Sequence, residues 1–335
     1  MAHEVTAAIL GLGSFVPAKI LSNSDFEKSL DTSDEWITSR TGIKRRHIAA
    51  PEQSTSDLCL PAAQAALADA GMNAETIDLI LVCTLTPDYQ MPSTACVLQH
   101  KLGLAGRGVA SMDLNAACSG FLYGLATAKA YVETGMARNV LVVGVEILSR
   151  VLDYTDRSTC ILFGDGAGAA VVGKHRPNDP KSHALREVKI FADGTDHQHI
   201  IIKAGGTVHP TTARTIDEKM HYVQVAGREV FRFAVTKMVE MIQGTVERHG
   251  LTIDQVGRIV PHQANYRILE SACERLSIPP EKFVVNLEEY GNTSAASVPL
   301  ALDEAYRGGQ LEPGKKVILA AFGAGLTWAS ALIDW

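Results

Sequence analysis

Cys118 stands in the run Asp113-Leu114-Asn115-Ala116-Ala117-Cys118-Ser119-Gly120-Phe121, where a short strand pattern gives way to a long helix rich in Ala, Leu and Gly. The first N–H groups of a helix are unpaired and carry partial positive charge. A thiolate placed there is stabilised, so the spacing predicts a lowered pKa and a nucleophile usable near neutral pH. The small neighbours Ala116, Ala117, Ser119 and Gly120 leave room for a substrate. A buried cysteine in a small-residue packing site accounts for the same segment.

Three further segments carry chemical potential. His262, in Ile259-Val260-Pro261-His262-Gln263-Ala264-Asn265, follows directly on a buried strand pattern, and a neutral imidazole exchanges protons near pH 7. It is one of 11 histidines, most of which must have ordinary structural roles. Asn292, in Tyr290-Gly291-Asn292-Thr293-Ser294-Ala295-Ala296-Ser297, precedes a second small-residue helix, where Asn, Thr and Ser also serve as plain N-caps. Together, Cys, His and Asn permit nucleophilic acyl transfer. Ala321-Phe322-Gly323-Ala324-Gly325-Leu326-Thr327-Trp328 reads as a tight hairpin whose backbone N–H groups could stabilise an oxyanion.

These residues need a frame, and the chain repeats itself to supply one. Ala68-Asp69-Ala70-Gly71 followed by Ile77-Asp78-Leu79-Ile80-Leu81-Val82 is echoed by Arg248-His249-Gly250 followed by Val256-Gly257-Arg258-Ile259-Val260. In each, a helix ends at a Gly, the residue that best tolerates the left-handed cap position, and a buried strand begins six residues later. Cys118 to Gly144 and Asn292 to Gly323 form a second pair, each reading helix, Gly break, strand. A duplicated α/β fold follows, with residues 1–175 carrying the Cys and residues 176–335 carrying the His and Asn. The polar, Pro-broken stretch Lys174-His175-Arg176-Pro177-Asn178-Asp179-Pro180-Lys181 joins them. Alternating strands and helices predict mainly parallel strands, with chemistry at their carboxyl ends.

Composition narrows the classes. The chain has 335 residues, 46% of them hydrophobic, which is ample for a large core and excludes disorder as the main state. A net charge of -6 argues against nucleic acid as a partner. No apolar run reaches the ~18 residues of a membrane span, and the opening Met1-Ala2-His3-Glu4-Val5 lacks the features of a secretory signal. The six cysteines show no metal-like spacing, and five of them read as small core residues in a reducing cytoplasm. Gly11-Leu12-Gly13-Ser14 lacks the third Gly of a dinucleotide fingerprint, and Phe163-Gly164-Asp165-Gly166-Ala167-Gly168-Ala169-Ala170 reads as a turn between strands.

Taken together, the chain resembles the β-ketoacyl-acyl-carrier-protein synthase III family of the thiolase superfamily. The resemblance runs through Asp31-Thr32-Ser33-Asp34-Glu35-Trp36-Ile37, Arg40-Thr41-Gly42-Ile43, Asn115-Ala116-Ala117-Cys118, Phe163-Gly164-Asp165-Gly166-Ala167-Gly168, Pro261-His262-Gln263-Ala264-Asn265, Gly291-Asn292-Thr293-Ser294 and the closing Gly325, Thr327 and Trp328, in the family's order and over nearly the whole length. It implies a five-layered αβαβα thiolase-like fold of two duplicated halves, a homodimer and a cytoplasmic enzyme with no cofactor and no metal, acyl-CoA being a substrate. It implies that Cys118, His262 and Asn292 are catalytic. Cys118 would take the acyl group, His262 and Asn292 would stabilise the enolate formed as malonyl-acyl carrier protein loses CO2, and the backbone N–H groups of Cys118 and Ala324 would form the oxyanion hole.

The same resemblance assigns CoA binding to Thr32, Trp36, Arg40, Arg157, Phe231, Asn265 and Arg267, with Trp36 and Arg157 about the adenine. It puts Met91, Leu148 and Phe163 at the acyl pocket, with Met91 reaching into the partner protomer. Flexible Met where an aromatic would select acetyl predicts primers longer than acetyl. Carrier proteins are acidic, so docking falls to Arg228, Arg232, Arg267 and Arg275. The chain departs from the family at Ala324, where many relatives have Gly, and at Glu274, where relatives often have Lys. A secondary-metabolite condensing enzyme, a starter-unit acyltransferase, a Cys-His-Asn thioester hydrolase and a non-catalytic scaffold are the competing readings.

Overall fold

A computed structural model describes residues 5–335; Met1 to Glu4, most of the segment read above for a signal, lie outside the described residues. The main sheet contains β1 (Ala7–Phe15), β2 (Leu79–Cys83), β3 (Ala110–Leu114), β4 (Asn139–Ile147), β5 (Asp165–Lys174), β6 (His183–Ala192), β7 (Val256–Pro261), β8 (Lys316–Gly323) and β9 (Thr327–Asp334). Their order is β7-β8-β9-β6-β1-β5-β4-β2-β3. The helices that frame the site are α1 (Asp34–Thr41), α2 (Thr55–Asp69), α3 (Thr94–Lys101), α4 (Gly120–Glu133), α5 (Gly227–Arg248), α6 (Tyr266–Leu276) and α7 (Ser297–Arg307).

Alternate residues of a strand face opposite sides, and here both sides are buried. On β2, Leu79, Leu81 and Cys83 enter a core with α4, while Ile80 and Val82 enter one with α2 and α3. On β8, Val317, Leu319 and Ala321 enter the core with α4 and α7, while Ile318, Ala320 and Phe322 face α5 and α6. The sheet therefore wraps the pair α4 and α7, with α2 and α3 outside one half and α5 and α6 outside the other. This is the expected five-layered αβαβα arrangement.

The duplication is visible in the numbering. One constant offset carries Leu79 onto Val256, Ala117 onto Ser294 and Gly120 onto Ser297, each the first residue of a matching element. Within the sheet the halves pair at Ala8–Ala184 and Ile9–His183 of β1 and β6, and further backbone bonds cross between them, Asn292 to Leu162 and Gly164 among them. Gly71 and Gly250 take φ of 62° and 58°, as a glycine past a helix end requires. In the first half, β2 starts at Leu79, two residues later than the pattern suggested.

Three expectations are corrected. The sheet is not mainly parallel: β2–β3, β2–β4 and β7–β8 are parallel, but β1–β5, β1–β6, β4–β5, β6–β9 and β8–β9 are antiparallel. Parallel pairs need a crossover, whereas β9 returns beside β8 through a tight hairpin. The glycine run from Gly164 is mostly strand, since β5 begins at Asp165. Its glycines admit α7, because a Cβ on Gly168 would lie 2.6 Å from Pro299 Cβ. Finally, Cys96 is exposed on α3, leaving Cys59, Cys83, Cys160 and Cys273 as the buried thiols.

Gly13 has no room for a side chain, since a Cβ there would lie 2.3 Å from the Ala66 backbone nitrogen of α2. Overpacking of this kind costs about 1–3 kcal/mol. Gly13→Ala should lower the denaturant midpoint accordingly. Gly194→Ala, with open space around it, should leave the midpoint unchanged.

Candidate active site

Cys118 lies in a one-turn 3-10 segment, Ala117–Ser119, between β3 and α4. Ala117 takes a left-handed φ of 47°, and Ser294, its counterpart before α7, takes 48°. Such conformations strain any residue bearing a Cβ, here to bring two helix starts together. The turn is clamped from the far end of the chain. Thr327 Oγ1 donates within reach of Ala116 O at 3.0 Å and Ala324 O at 3.1 Å, with Ser119 Oγ at 3.2 Å. At the end of β8, a Cβ on Gly323 would meet Cys118 N at 2.7 Å. The hairpin bearing Ala324 thus sits against the cysteine.

Burial pushes the Cys118 thiol up to about 12, although the Ser294 side chain and the cysteine's own backbone N–H oppose the rise. The expected low-pKa thiolate is corrected: the resting group is a thiol. The helix proper starts two residues on, at Gly120, and desolvation of the charged sulfur outweighs the helix end.

Asn292 is fixed by its backbone to the loop before β5. Its N–H donates to Leu162 O at 2.8 Å, and its carbonyl accepts from Gly164 N at 3.0 Å. Its Oδ1 accepts from Ser294 N at 2.8 Å. His262 follows β7, with its N–H donating to Ala320 O of β8 at 2.8 Å. The ring packs edge-on to Phe322 at 5.2 Å. Nδ1 lies 2.6 Å from Ser297 Oγ at the start of α7, which leaves Nε2 as the nitrogen available to a ligand. Burial lowers its pKa to about 3, so the imidazole is neutral at physiological pH. Among the described residues it makes no hydrogen bond to Cys118.

Cys118, Ala324, Leu148 and Phe163 line one cavity of about 900 Å³, with Leu85 and Ile202 among its aliphatic walls. Met91 stands apart, 87% exposed. Two groups missed by sequence reasoning hold this cavity. Asp165 accepts from Ala49 N at 2.8 Å and Ser149 N at 2.9 Å. Glu146, wholly buried, accepts from Thr86 Oγ1 at 2.6 Å, Thr86 N at 3.1 Å and Ser294 Oγ at 3.1 Å. A lone carboxylate inside the apolar run Val140–Leu148 was the available signal.

The residues assigned to CoA gather at α1 and α6. Arg157 lies over the Trp36 ring at 5.1 Å and Arg40 at 5.5 Å. Asn265 caps α6 and donates to Arg40 O at 3.2 Å, and Arg267 N donates to Asn265 Oδ1 at 2.9 Å. Thr32 Oγ1 is the one buried side-chain oxygen without a partner among the described residues. Phe231, Arg228 and Arg232 are exposed on α5, as Arg267 and Arg275 are on α6. No described group of His, Cys, Asp and Glu could hold a metal, and no described helix is long and apolar enough to cross a membrane.

Ser297→Ala frees the His262 ring to change tautomer. Stability should fall by about 1 kcal/mol, the worth of one hydrogen bond. Condensing activity should fall at least about tenfold, as for a misoriented proton donor, with the thermal midpoint and turnover measured on the same sample.

The family model "3-Oxoacyl-[acyl-carrier-protein (ACP)] synthase III" matches residues 112–194, and the model of its C terminal matches residues 246–335. The β-ketoacyl-[acyl-carrier-protein] synthase III of Caldanaerobacter subterraneus subsp. tengcongensis is 50% identical over 335 residues, spanning 100% of this chain and 99% of that one. That of Desulfitobacterium hafniense is 48% identical over 331 residues, spanning 99% and 98%. The solved structure of the Thermus thermophilus enzyme of the same name superposes with a TM-score of 0.89 at 44% identity, over 98% of both chains. The sequence motifs, the layered fold and these likenesses agree: the chain belongs to the β-ketoacyl-acyl-carrier-protein synthase III family of acyltransferases.

Proposed function

We propose that the chain joins a short-chain acyl-CoA to malonyl-acyl carrier protein by decarboxylative Claisen condensation, with Cys118 as the acylated nucleophile. The observation that carries this is the aliphatic cavity shared by Cys118 and the Ala324 hairpin. Cys118 Sγ attacks the acyl carbonyl and CoA leaves. The malonyl thioester then loses CO2. Hydrogen bonds from His262 and Asn292 hold the enolate oxygen, and the enolate carbon attacks the Cys118 thioester. The backbone N–H groups of Cys118 and Ala324 stabilise the tetrahedral oxyanion. A neutral imidazole suits this work, since a donor at the enolate acts without carrying a charge. Its low basicity weighs against a hydrolase in which His activates the thiol.

Coenzyme A enters past α1 and α6 in this reading. An adenine between Trp36 and Arg157 needs them about 7 Å apart, twice the usual ~3.5 Å contact, so the resting pair must open. Thr32 Oγ1, lacking a partner, gains one from the ligand. Phe231, Asn265 and Arg267 flank the channel. Arg228, Arg232, Arg267 and Arg275, none of them in a described ion pair, offer an acidic carrier protein a basic face broken by Glu270 and Glu274 on α6. A homodimer forms along β3, one of the sheet's two edge strands, and places the exposed Met91 in the partner's acyl pocket. No other cofactor is required, and the enzyme works in the cytoplasm.

Intact mass after mixing with acetyl-, butyryl- and branched acyl-CoA tests the covalent step. Wild type should gain an acyl group and Cys118→Ala none; a folded wild type that gains none from any of them sinks the CoA-primed mechanism. With Met91 in place of an aromatic, kcat/KM for acetyl-CoA should exceed that for butyryl-CoA by no more than ~100-fold, about 2.7 kcal/mol.

A further inference from the structure

Acyl transfer to a resting thiol requires a proton acceptor, and His262 is poorly placed for it. Its Nδ1 is engaged by Ser297, and burial leaves it a weak base. Ser294 is better placed. It lines the same cavity as Cys118, its side chain is among the groups acting on that sulfur, and its hydroxyl lies 3.1 Å from Glu146 Oε1. Ser294 is held there at a left-handed φ of 48°, with its N–H donated to Asn292 Oδ1 at 2.8 Å. We propose that Ser294 and Glu146 form a proton relay that takes the Cys118 proton during acyl transfer and returns it when the product leaves. This rests on Cys118 being the acylated nucleophile.

The step balances. The Cys118 S–H bond breaks as its proton passes to Ser294 Oγ, and the Ser294 O–H bond breaks as its proton passes to Glu146 Oε1. The freed sulfur pair attacks the acyl carbonyl, and the departing CoA thiolate takes a proton from water. In the condensation, the enolate carbon forms the new C–C bond and expels Cys118 as thiolate. Glu146 then returns its proton through Ser294. In this relay Ser294 exchanges the proton with the reacting sulfur across the cavity they share, whereas Glu146 acts through Ser294 and is a positioning residue that also stores the proton.

Glu146 is suited to both states. Burial raises its pKa to about 7, against hydrogen bonds from Thr86, Leu85, Ser294 and Thr84. From the loop after β2, Thr84 Oγ1 donates at 3.2 Å and Leu85 N at 3.2 Å. The titratable groups that feel its charge are Cys118 beside α4 and Cys83 of β2. Burial drives Cys83 far above the working range. No Lys, Arg or His is bonded to Glu146 among the described residues.

Simple charge and a relay predict opposite signs. A carboxylate that only repels the thiolate slows Cys118, so Glu146→Gln would speed its reaction with iodoacetamide. A relay makes the carboxylate the acceptor, so wild-type reactivity rises as Glu146 ionises near pH 7. Alkylation of Cys118 is followed by peptide mass from about pH 5 to about pH 10, in wild type, Glu146→Gln and Ser294→Ala. Ser294→Ala keeps Glu146 and its four loop donors, guarding against a misfolded Gln variant. Expected is a wild-type inflection near pH 7, lost in both variants, with at least about tenfold slower alkylation there. Equal or faster alkylation in folded variants overturns the relay. An acyl adduct on wild type with no inflection overturns the relay alone. An inflection with no adduct overturns the acyl-enzyme reading, and with it the relay's use in catalysis.

Discussion

Everything at the site depends on two helix starts meeting in the middle layer. A Cβ on Gly120 of α4 would stand 3.4 Å from Ala295 Cβ, just before α7. Only small residues allow that approach, and both preceding turns accept a left-handed residue to achieve it. The contact draws the Cys118 turn against Ser294, and so against the strand bearing Glu146. Asn292 and Ser297 lie within a few residues of the same junction, and Ser297 holds His262. Substituting the junction would disturb all of them together, because they share one packing contact rather than separate supports.

Around that junction, charges buried in the walls replace regular structure. Asp165 and Glu146 gather backbone N–H groups from loops that could not otherwise satisfy them. Arg46, fully buried, donates to Asn23 Oδ1 at 2.7 Å and to Ile161 O, and packs on Phe26 at 4.8 Å. Removing one partner from such a set leaves a desolvated charge, which costs far more than the bond itself returns. The cavity walls beside Cys118 are thereby held by hydrogen bonds to buried carboxylates. The exposed arginines of α5 and α6 remain free to adapt.

Much of this was legible in the sequence because it follows from local rules. Glycines past helix ends, apolar strands and small-residue helices placed the repeats, and the repeats pointed to the loops of Cys118, His262 and Asn292. Strand direction was not legible, since whether β5 and β9 run against their neighbours depends on how loops return. Nor was the thiol's state: a helix start argues for a thiolate, but the degree of burial is a tertiary quantity. Glu146 was visible only as one acid in an apolar strand. Its partners, Thr84 and Ser294, stand 62 and 148 residues away. The exposure of Cys96 was likewise hidden, because one face of a short helix looks apolar until its neighbours are known.

The shared middle layer has a consequence for synthesis. Helix α4 needs strands from both halves to cover it, and β7, β8 and β9 come from the last third of the chain. At about 5–20 residues per second, those strands leave the ribosome on the order of ten seconds or more after α4. During that interval Phe121, Leu122 and Leu125, all fully buried in the finished molecule, lack half their cover. The nascent first half is thus a sticky intermediate. The layer that makes the finished site rigid also makes its birth dependent on speed of translation and on protection from neighbouring chains.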